Sequence, residues 1–294
     1  MNPAAITLAF DPVLKLTDTS SVRYETIALA AVLLVGLVLA ARVGRLTPAI
    51  GPFVPAPGLR ADDLMFIVVG AVPGALIGGR LGYVLVNLDY YRGHAAAIVD
   101  PTQGGLELTL AVPLGILTGA LIARLVGAPV TRWMHAIALP LLFVLAAGKL
   151  VGVLGANGQG SAADLPWATA YVGPGPWDSL AAEIPSHPAQ VYEAILGLVT
   201  IIGLAAASRL EFVSRRDGAA LYAALGLWAI GRFAIAFTWR DPVIAGPLRA
   251  EQVLLLLVAI VAAVGLFERR RAPLQAPIMR EREVVLDIDE YPRG

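Results

Sequence analysis

The chain has 294 residues and a formal net charge of zero at pH 7, and 57% of its residues are hydrophobic while 15% are charged. Its mean hydropathy of +0.73 is far above that of an ordinary soluble domain. The balanced charge gives no basis for binding nucleic acid. Because the chain has no cysteine, it forms no disulfide or thiolate metal site and has no thiol nucleophile. We expect no cofactor and no metal. This composition indicates a membrane protein.

Seven apolar stretches are long enough to cross a bilayer as helices, which takes about 20 residues each. The predicted spans are 26–43, 63–87, 106–127, 132–155, 190–208, 218–238 and 249–267. The segment before the first span lacks a basic region followed directly by an apolar core, so we expect the first span to remain as an anchor. The sequence predicts an all-α integral membrane protein built as a seven-transmembrane-helix bundle.

Arginines in the connections predict the orientation of this bundle. They follow spans one, three, five and seven, and are Arg42, Arg45, Arg60, Arg124, Arg132, Arg209, Arg215, Arg216, Arg269, Arg270 and Arg271. The connections on the opposite side have fewer basic residues. Since cytoplasmic loops carry the excess of Lys and Arg, we expect the N-terminus outside and the C-terminus in the cytoplasm.

The longest connection, 156–189, is rich in Gly, Pro, Ser and Asp, which favours turns over a membrane helix. We expect it to form a head region on the outer face. The predicted organisation is a single seven-helix membrane domain, 1–268, that includes this head, followed by a polar cytoplasmic tail, 269–294.

In the second span, Gly70, Gly74, Gly78 and Gly82 recur every four residues. This spacing puts them on one helix face, where the absence of side chains lets a neighbouring helix approach closely.

Ionisable side chains also fall within or beside the predicted spans: Arg80, Glu107, Lys149, Glu193 and Arg232. An arginine facing lipid costs about 2.5–3.5 kcal/mol even on the lenient insertion scale, so each should face a partner or a wet cavity. One interpretation is a set of interhelical ion pairs, such as Arg80 or Arg232 with Glu193. The other is an outward cavity whose cations bind an anionic headgroup, because guanidinium groups grip phosphate oxygens bidentately. Three cations against two acids favour the second.

Four stretches of sequence carry a family resemblance. They are GGRLGYVLV with the following tyrosine pair at 78–91, DLPWA with HPAQVYEA at 164–194, GRFAIAFTWRDP at 231–242 and EQVLLL at 251–256. In order and spacing they resemble the prolipoprotein diacylglyceryl transferases, a family of seven-helix bacterial enzymes. The resemblance implies a multi-pass protein of the bacterial plasma membrane.

The family reaction moves the diacylglyceryl group of phosphatidylglycerol onto the lipobox cysteine of a preprolipoprotein and releases glycerol phosphate. The resemblance therefore implies two partners, phosphatidylglycerol with its surrounding membrane lipid, and the preprolipoprotein signal peptide. The candidate substrate-binding residues are Lys149, Arg232, Arg80, Glu193 and Tyr192, of which the three cations would surround the lipid phosphate. The candidate bases for the acceptor thiol are Glu107, His187 and Glu25.

Three family patterns are altered in this chain. The signature G-R-x-G-N-F-x-N-x-E-x-x-G reads GKLVGVLGANGQG at 148–160, so Lys149 replaces an arginine, and Gly152, Gly155 and Asn157 replace two asparagines and a glutamate. An H-G-G motif has lost its histidine, and R-W-Y-G becomes Arg23-Tyr24-Glu25-Thr26, with Glu25 at the tyrosine position. Lysine still attracts phosphate but lacks the planar fork of arginine.

Two alternatives stand beside a divergent transferase. In the first alternative, the chain is a member of the same fold that acts on another lipid or acceptor, or that binds lipid and protein without transfer. The second alternative is a small-solute carrier with buried charges along its pathway. A carrier would predict inverted repeats, and the sequence has no recognisable repeat.

Overall fold

The computed structural model describes residues 5–47, 59–100, 102–210, 213 and 217–271. Arg215, Arg216 and the predicted tail beyond Arg271 lie outside these ranges. The helices are α1 (Tyr24–Arg45), α2 (Ala61–Val86), α3 (Leu88–Gly93), α4 (Leu108–Leu125), α5 (Val130–Val151), α6 (Ala189–Ala207), α7 (Ala219–Ile235) and α8 (Ala250–Arg271). Within the described ranges, all of these except α3 are long and apolar enough to cross a membrane, which confirms the predicted seven-span bundle.

Short strands, which the sequence analysis did not predict, lie in the connections. They are β1 (Ile6–Ala9), β2 (Val13–Lys15), β3 (Ser21–Arg23), β4 (Thr169–Val172), β5 (Val243–Ala245) and β6 (Leu248–Arg249). β1 pairs in parallel with β4, so Ile6 lies opposite Thr169, while β2–β3 and β5–β6 are antiparallel pairs. Because β1 precedes α1 and β4 follows α5, this pairing joins two distant segments at one end of the bundle.

We define the head as residues 5–23, 152–188 and 236–249. Arg240 ties its segments together by donating from Nε to the carbonyl of Gly160 at 2.6 Å and from Nη1 to Oγ of Ser179 at 3.0 Å. Its Nη2 donates to Oε1 of Gln159 at 3.2 Å and to Oγ of Ser186 at 3.0 Å. The head is therefore larger than the predicted loop 156–189, since segments before α1 and after α7 contribute to it.

The glycine face of α2 packs against α4, as the four-residue spacing predicted. A Cβ placed on Gly74 would meet the carbonyl of Leu114, and one on Gly78 would meet the carbonyl of Leu110. A Cβ on Gly70 would meet the side chain of Ile122. The two helices approach closely because these positions carry no side chain.

An apolar cleft of about 500 Å³ separates the α2–α4 pair from the α1–α5 pair. Aliphatic side chains from all four helices form its wall, among them Leu37, Ala71 and Leu141. At one end the wall includes Leu108, which directly follows Glu107, and Leu145, which lies one helical turn before Lys149. The cleft thus reaches the part of the bundle that carries the ionisable residues.

The end of the bundle away from the head is rich in arginine. α1 and α4 end there, and α5 begins there, with Arg132 Nη2 donating to the carbonyl of Thr47 at 2.9 Å. The described basic residues at this end are Arg42, Arg45, Arg60, Arg124, Arg132, Arg209, Arg269, Arg270 and Arg271. The two ends of the bundle therefore differ in charge.

Candidate functional site

Arg232, near the end of α7, lies at the centre of a buried ionic cluster. Its Nη1 donates to Oε2 of Glu193 on α6 at 2.5 Å. Its Nε and Nη2 donate to Oε1 of Glu251 on α8 at 3.0 and 2.6 Å, and Nη2 also contacts Oε1 of Glu107 at 3.1 Å. Only 4% of the Arg232 side chain is exposed. The guanidinium therefore joins three carboxylates that come from three different parts of the bundle.

Lys149, near the end of α5, extends this cluster toward its accessible side. Its Nζ lies 3.1 Å from Oε1 of Glu193, whose other oxygen accepts from Arg232. The Lys149 side chain is 24% exposed, against 4% for Arg232. Of the two cations, Lys149 is the one that a ligand can reach without displacing a buried ion pair.

Glu107 caps the N-terminus of α4, where unpaired backbone N–H groups favour a negative charge. Its Oε2 accepts from the backbone N–H of Thr109 at 2.5 Å. The Thr109 hydroxyl donates to Glu251 at 2.6 Å and approaches Oε1 of Glu107 at 3.2 Å. The threonine side chain therefore bridges two of the carboxylates around Arg232.

The described cluster contains three carboxylates, Glu107, Glu193 and Glu251, but only two cations, Lys149 and Arg232. The carboxylates of the cluster therefore carry an excess of formal negative charge, which attracts a cation or a proton. The Glu107 side chain is the most exposed of the three, at 10%. The arrangement can accept a proton at Glu107 and an anion at Lys149.

Two tryptophans pack against the same guanidinium. The Arg232 Cζ lies 4.8 Å from the ring centroid of Trp239 and 5.6 Å from that of Trp228. The rings shield the ion pairs from solvent and add a cation–π attraction. This confinement makes Arg232 an organiser of the carboxylates in this structure, rather than a side chain open to a ligand.

A second charged group lies in the head beside the start of α1. Arg23 Nη1 donates to Oδ1 of Asp178 at 2.5 Å, and its Nη2 lies 3.3 Å from Oε2 of Glu25. The hydrogen bond that Arg23 donates to the Asp178 carboxylate raises the pKa of Arg23 above its ordinary value. Asn157 donates from Nδ2 to Oε1 of Glu25 at 3.1 Å. A Cβ on Gly155 would collide with Oε2 of Glu25, so the carboxylate occupies the space that the missing side chain leaves.

His187 and Tyr192 form a third group at the entrance to α6. The Tyr192 hydroxyl accepts from Nε1 of Trp167 at 2.7 Å and lies 3.4 Å from Nδ1 of His187. The backbone of His187 is fixed on both sides, by Gly160 N–H on its carbonyl and by the Ser161 carbonyl on its N–H. His187 and Tyr192 are half-buried, so parts of both rings reach the head surface.

Arg80 makes no ion pair among the described residues. Of the two ion pairs with Glu193 that the sequence suggested, the one with Arg232 is formed and the one with Arg80 is not. The Arg80 guanidinium instead contacts main-chain carbonyls of the α3–α4 connection. In this structure Arg80 therefore contacts the α3–α4 connection, while Lys149 and Arg232 contact the carboxylate cluster.

Glu251 and Thr109 were missed as site residues by the sequence analysis. Glu251 begins the EQVLLL stretch. It lies in the first turn of a span, where an acidic residue is common at a helix N-terminus and does not by itself indicate a site. An acid that directly precedes an apolar run of span length was the available signal. Thr109 gave no signal, because its role depends on contacts with residues distant in sequence.

Comparison with known proteins agrees with this architecture. The sequence profile of the family described as prolipoprotein diacylglyceryl transferase matches residues 13–268. The protein named phosphatidylglycerol–prolipoprotein diacylglyceryl transferase of Geobacter sulfurreducens is 30% identical over 227 residues, which cover 73% of this chain and 82% of that protein. Proteins of the same name from Rhodospirillum centenum and Beijerinckia indica are 33% and 31% identical. Those matches cover 71% and 76% of this chain and 72% and 78% of the respective relatives. The chain therefore belongs to the prolipoprotein diacylglyceryl transferase family.

Proposed function

We propose that this protein transfers the diacylglyceryl group of phosphatidylglycerol to the lipobox cysteine of a preprolipoprotein. The observation that carries the proposal is the family match over 13–268, and the relatives' name states the lipid and the protein substrate. A polar cluster at the end of an apolar cleft suits a substrate with an anionic headgroup and acyl chains.

In this reaction the acceptor sulfur forms a thioether bond to the glyceryl carbon that carries the phosphate. The bond from that carbon to the phosphate oxygen breaks, and glycerol phosphate leaves with the electron pair. The thiol proton passes to a base, because a thiol with a pKa near 8.5 is mostly protonated at neutral pH. The chain contains no cysteine, so the sulfur comes from the acceptor.

Lys149 is the residue we assign to the lipid phosphate. It is the more exposed of the two cations in the described cluster, and Leu145, one helical turn earlier on α5, lines the cleft. An ammonium group next to the phosphate stabilises the charge that develops as glycerol phosphate leaves. The acyl chains then lie in the cleft between α1, α2, α4 and α5.

Glu107 is the base that we favour among the three candidates. It is the most exposed acid in a cluster with more carboxylates than cations, and Leu108 connects it to the cleft. Arg232 and Glu193 are positioning residues in this proposal, because each contacts the cluster rather than the cleft. Glu25 is held by Arg23 and Asn157 in the head.

His187 and Tyr192 are assigned to the acceptor side of the reaction. Both are half-buried at the head, and their fixed backbone provides a rigid surface for an incoming signal peptide. In this role Tyr192 contributes an aromatic hydroxyl, and His187 a ring nitrogen.

We place the protein in the bacterial plasma membrane with the head outside. The arginine-rich end of the bundle then faces the cytoplasm, as the distribution of basic residues favours. Lipid and lipobox peptide reach the site from the outer leaflet in this orientation.

The alternative is a member of the fold that acts on a different lipid or acceptor, or binds lipid without transfer. The observation that favours it is the altered signature, in which Lys149, Gly152 and Gly155 replace polar or planar side chains. These positions lie near the cluster and the head, so they bear on chemistry more than on the scaffold.

The test is transfer from labelled phosphatidylglycerol to a lipobox peptide by the purified full chain in lipid vesicles. A peptide with serine in place of the lipobox cysteine is the control. Cysteine-dependent labelling is the expected result, and no labelling with phosphatidylglycerol still bound would favour the alternative.

Lys149→Ala tests the phosphate site in the same assay. Losing a hydrogen bond to a charged group costs about 1.5–3 kcal/mol, so we expect phosphatidylglycerol binding to weaken about ten- to a hundredfold. Lys15→Ala is the matched control, since Lys15 is exposed on β2 in the head. Unchanged lipid binding in Lys149→Ala would remove Lys149 from the proposed site.

A further inference from the structure

Backbone carbonyls accept hydrogen bonds from every nitrogen of the Arg80 guanidinium. A guanidinium has five N–H donors, and the structure gives five acceptors, all in the described parts of the segment 97–105, which are 97–100 and 102–105. Nε donates to Ile98 O at 2.7 Å, Nη1 to Gln103 O at 2.7 Å and Gly105 O at 3.5 Å, and Nη2 to Asp100 O at 2.9 Å and to Ala97 O. A phosphate could bind here only by displacing these carbonyls.

Aromatic rings complete the surroundings of this cation. The Arg80 Cζ lies 5.4 Å from the ring centroid of Tyr91 and 6.0 Å from that of Tyr83. The Tyr91 hydroxyl donates to the Gln103 carbonyl at 3.3 Å, so it holds the same segment from a second side. The positive charge is balanced by carbonyl dipoles and ring faces, and its effect is to fold the segment around the end of α2.

The segment fixed by Arg80 leads directly to Glu107. The Gly105 carbonyl that faces Arg80 lies two residues before Glu107, and the Glu107 N–H donates to the Gly79 carbonyl at 2.8 Å. A Cβ on Gly82 would lie 3.2 Å from the Glu107 Cβ, so the glutamate packs closely on α2. Glu107 thus contacts α2 at Gly79 and Gly82, which lie on either side of Arg80 in the sequence.

We infer that Arg80 is a positioning residue, which acts through the segment 97–105 to fix the Glu107 carboxylate, and does not bind the lipid phosphate. The inference rests on the proposed transfer reaction, in which Glu107 accepts the thiol proton. It assigns to Arg80 an effect on the chemical step rather than on lipid binding.

Arg80→Lys tests this role, because lysine keeps the charge but has only three donors on one nitrogen. A misplacement of about 1 Å can cost about 100-fold in rate, so we expect kcat to fall at least tenfold while the KM for phosphatidylglycerol changes less than twofold. Arg92→Lys is the matched control, since Arg92 lies on α3 and pairs with the exposed Asp89. A rise in KM with kcat unchanged would assign Arg80 to the lipid and overturn the inference.

A double-mutant cycle separates positioning from general loss of structure. If Arg80 acts through Glu107, then Arg80→Lys in a Glu107→Gln background should cause no further loss of kcat, because the group it positions is already gone. Losses that multiply would mean that the two residues act independently, which overturns the inference.

Hydrogen exchange gives a readout that does not depend on transfer. In Arg80→Lys, amide exchange over residues 102–107 should rise about tenfold while exchange in α5 stays unchanged. Unchanged exchange at 102–107 would overturn the inference even in an active enzyme. Absence of transfer by the wild-type chain, with altered exchange in the variant, would count against the proposed function and not against the positioning contact.

Discussion

Glu193 Oε2 lies 2.5 Å from Arg232 Nη1, and this pair joins α6 to α7 in the buried part of the bundle. The other Glu193 oxygen lies 3.1 Å from Lys149. One carboxylate therefore connects the buried cation to the accessible one. Glu193 controls both the stability of the cluster and the position of the ammonium group.

Glu193→Gln should destabilise the protein and misplace Lys149. The substitution removes the ion-pair partner of Lys149 and one of the three carboxylates that contact the buried Arg232. Losing a hydrogen bond to a charged group costs about 1.5–3 kcal/mol, so we expect a clear fall in the thermal unfolding temperature in detergent. Glu183→Gln, at an exposed head position, is the control and should leave that temperature unchanged. Equal unfolding temperatures in both variants would contradict the role given to this pair.

Glu107→Gln and Glu25→Gln distinguish two of the candidate bases. Glutamine keeps the shape of each side chain but cannot take the thiol proton, and general base catalysis contributes about 10²- to 10⁴-fold. We expect Glu107→Gln to lose about that factor in kcat, and Glu25→Gln to lose less than about threefold because Asn157 can still donate to it. The reverse order in the peptide transfer assay would make Glu25 the base.

Filling the cleft should impair the use of long-chain lipid. Ala120 lines the cleft on α4, and Ala120→Phe would place a ring there. We expect the KM for long-chain phosphatidylglycerol to rise more than the KM for a short-chain form, measured in mixed micelles. Ala206→Phe, at an exposed position on α6, is the matched control. If both variants affect both lipids equally, the acyl chains do not bind in the cleft.

Gly78→Ala tests the close approach of α2 and α4. Its Cβ would lie 2.8 Å from Leu114 Cβ and closer to the Leu110 carbonyl, and such overpacking costs about 1–3 kcal/mol. Gly203→Ala on α6 is the control, because nothing lies within 4 Å of a Cβ there. In a thermal unfolding series the first variant should melt earlier, and the second should match the parent or melt slightly later.

Single cysteines can establish the orientation, because the chain has none of its own to give background. Leu180 is fully exposed on the head, and Leu46 is exposed at the far end of α1. In cells whose outer membrane or wall has been made permeable but whose plasma membrane is still sealed, a membrane-impermeant maleimide should label Leu180→Cys. It should label Leu46→Cys only after the plasma membrane is permeabilised, and the opposite pattern would reverse the topology.

The membrane spans were predictable because hydropathy acts locally. Each predicted span overlaps an observed helix to within a few residues at its ends, and the glycine spacing of α2 predicted its close packing. The same local signal selected Arg80, Glu107, Lys149, Glu193 and Arg232 as charges that need a partner.

The partners themselves were not predictable, because they depend on which helix ends meet. Glu251 joins Arg232 across 19 residues of sequence, and Glu107 joins it across 125. The carbonyls around Arg80 carry no side-chain signal in a sequence. The strands of the head were also missed, since β1 and β4 are four residues each and find each other only in the folded protein.

The parallel pairing of Ile6–Ala9 with Thr169–Val172 also sets an order of events during synthesis. The first strand emerges from the ribosome long before the second, since β4 follows the first four spans in the chain. During that interval its edge is unpaired, and exposed strand edges are prone to pairing with other chains. In the proposed orientation, both strands must also cross the membrane before they can meet. The head is therefore assembled late, and a chain truncated before β4 would lack the strand that closes it.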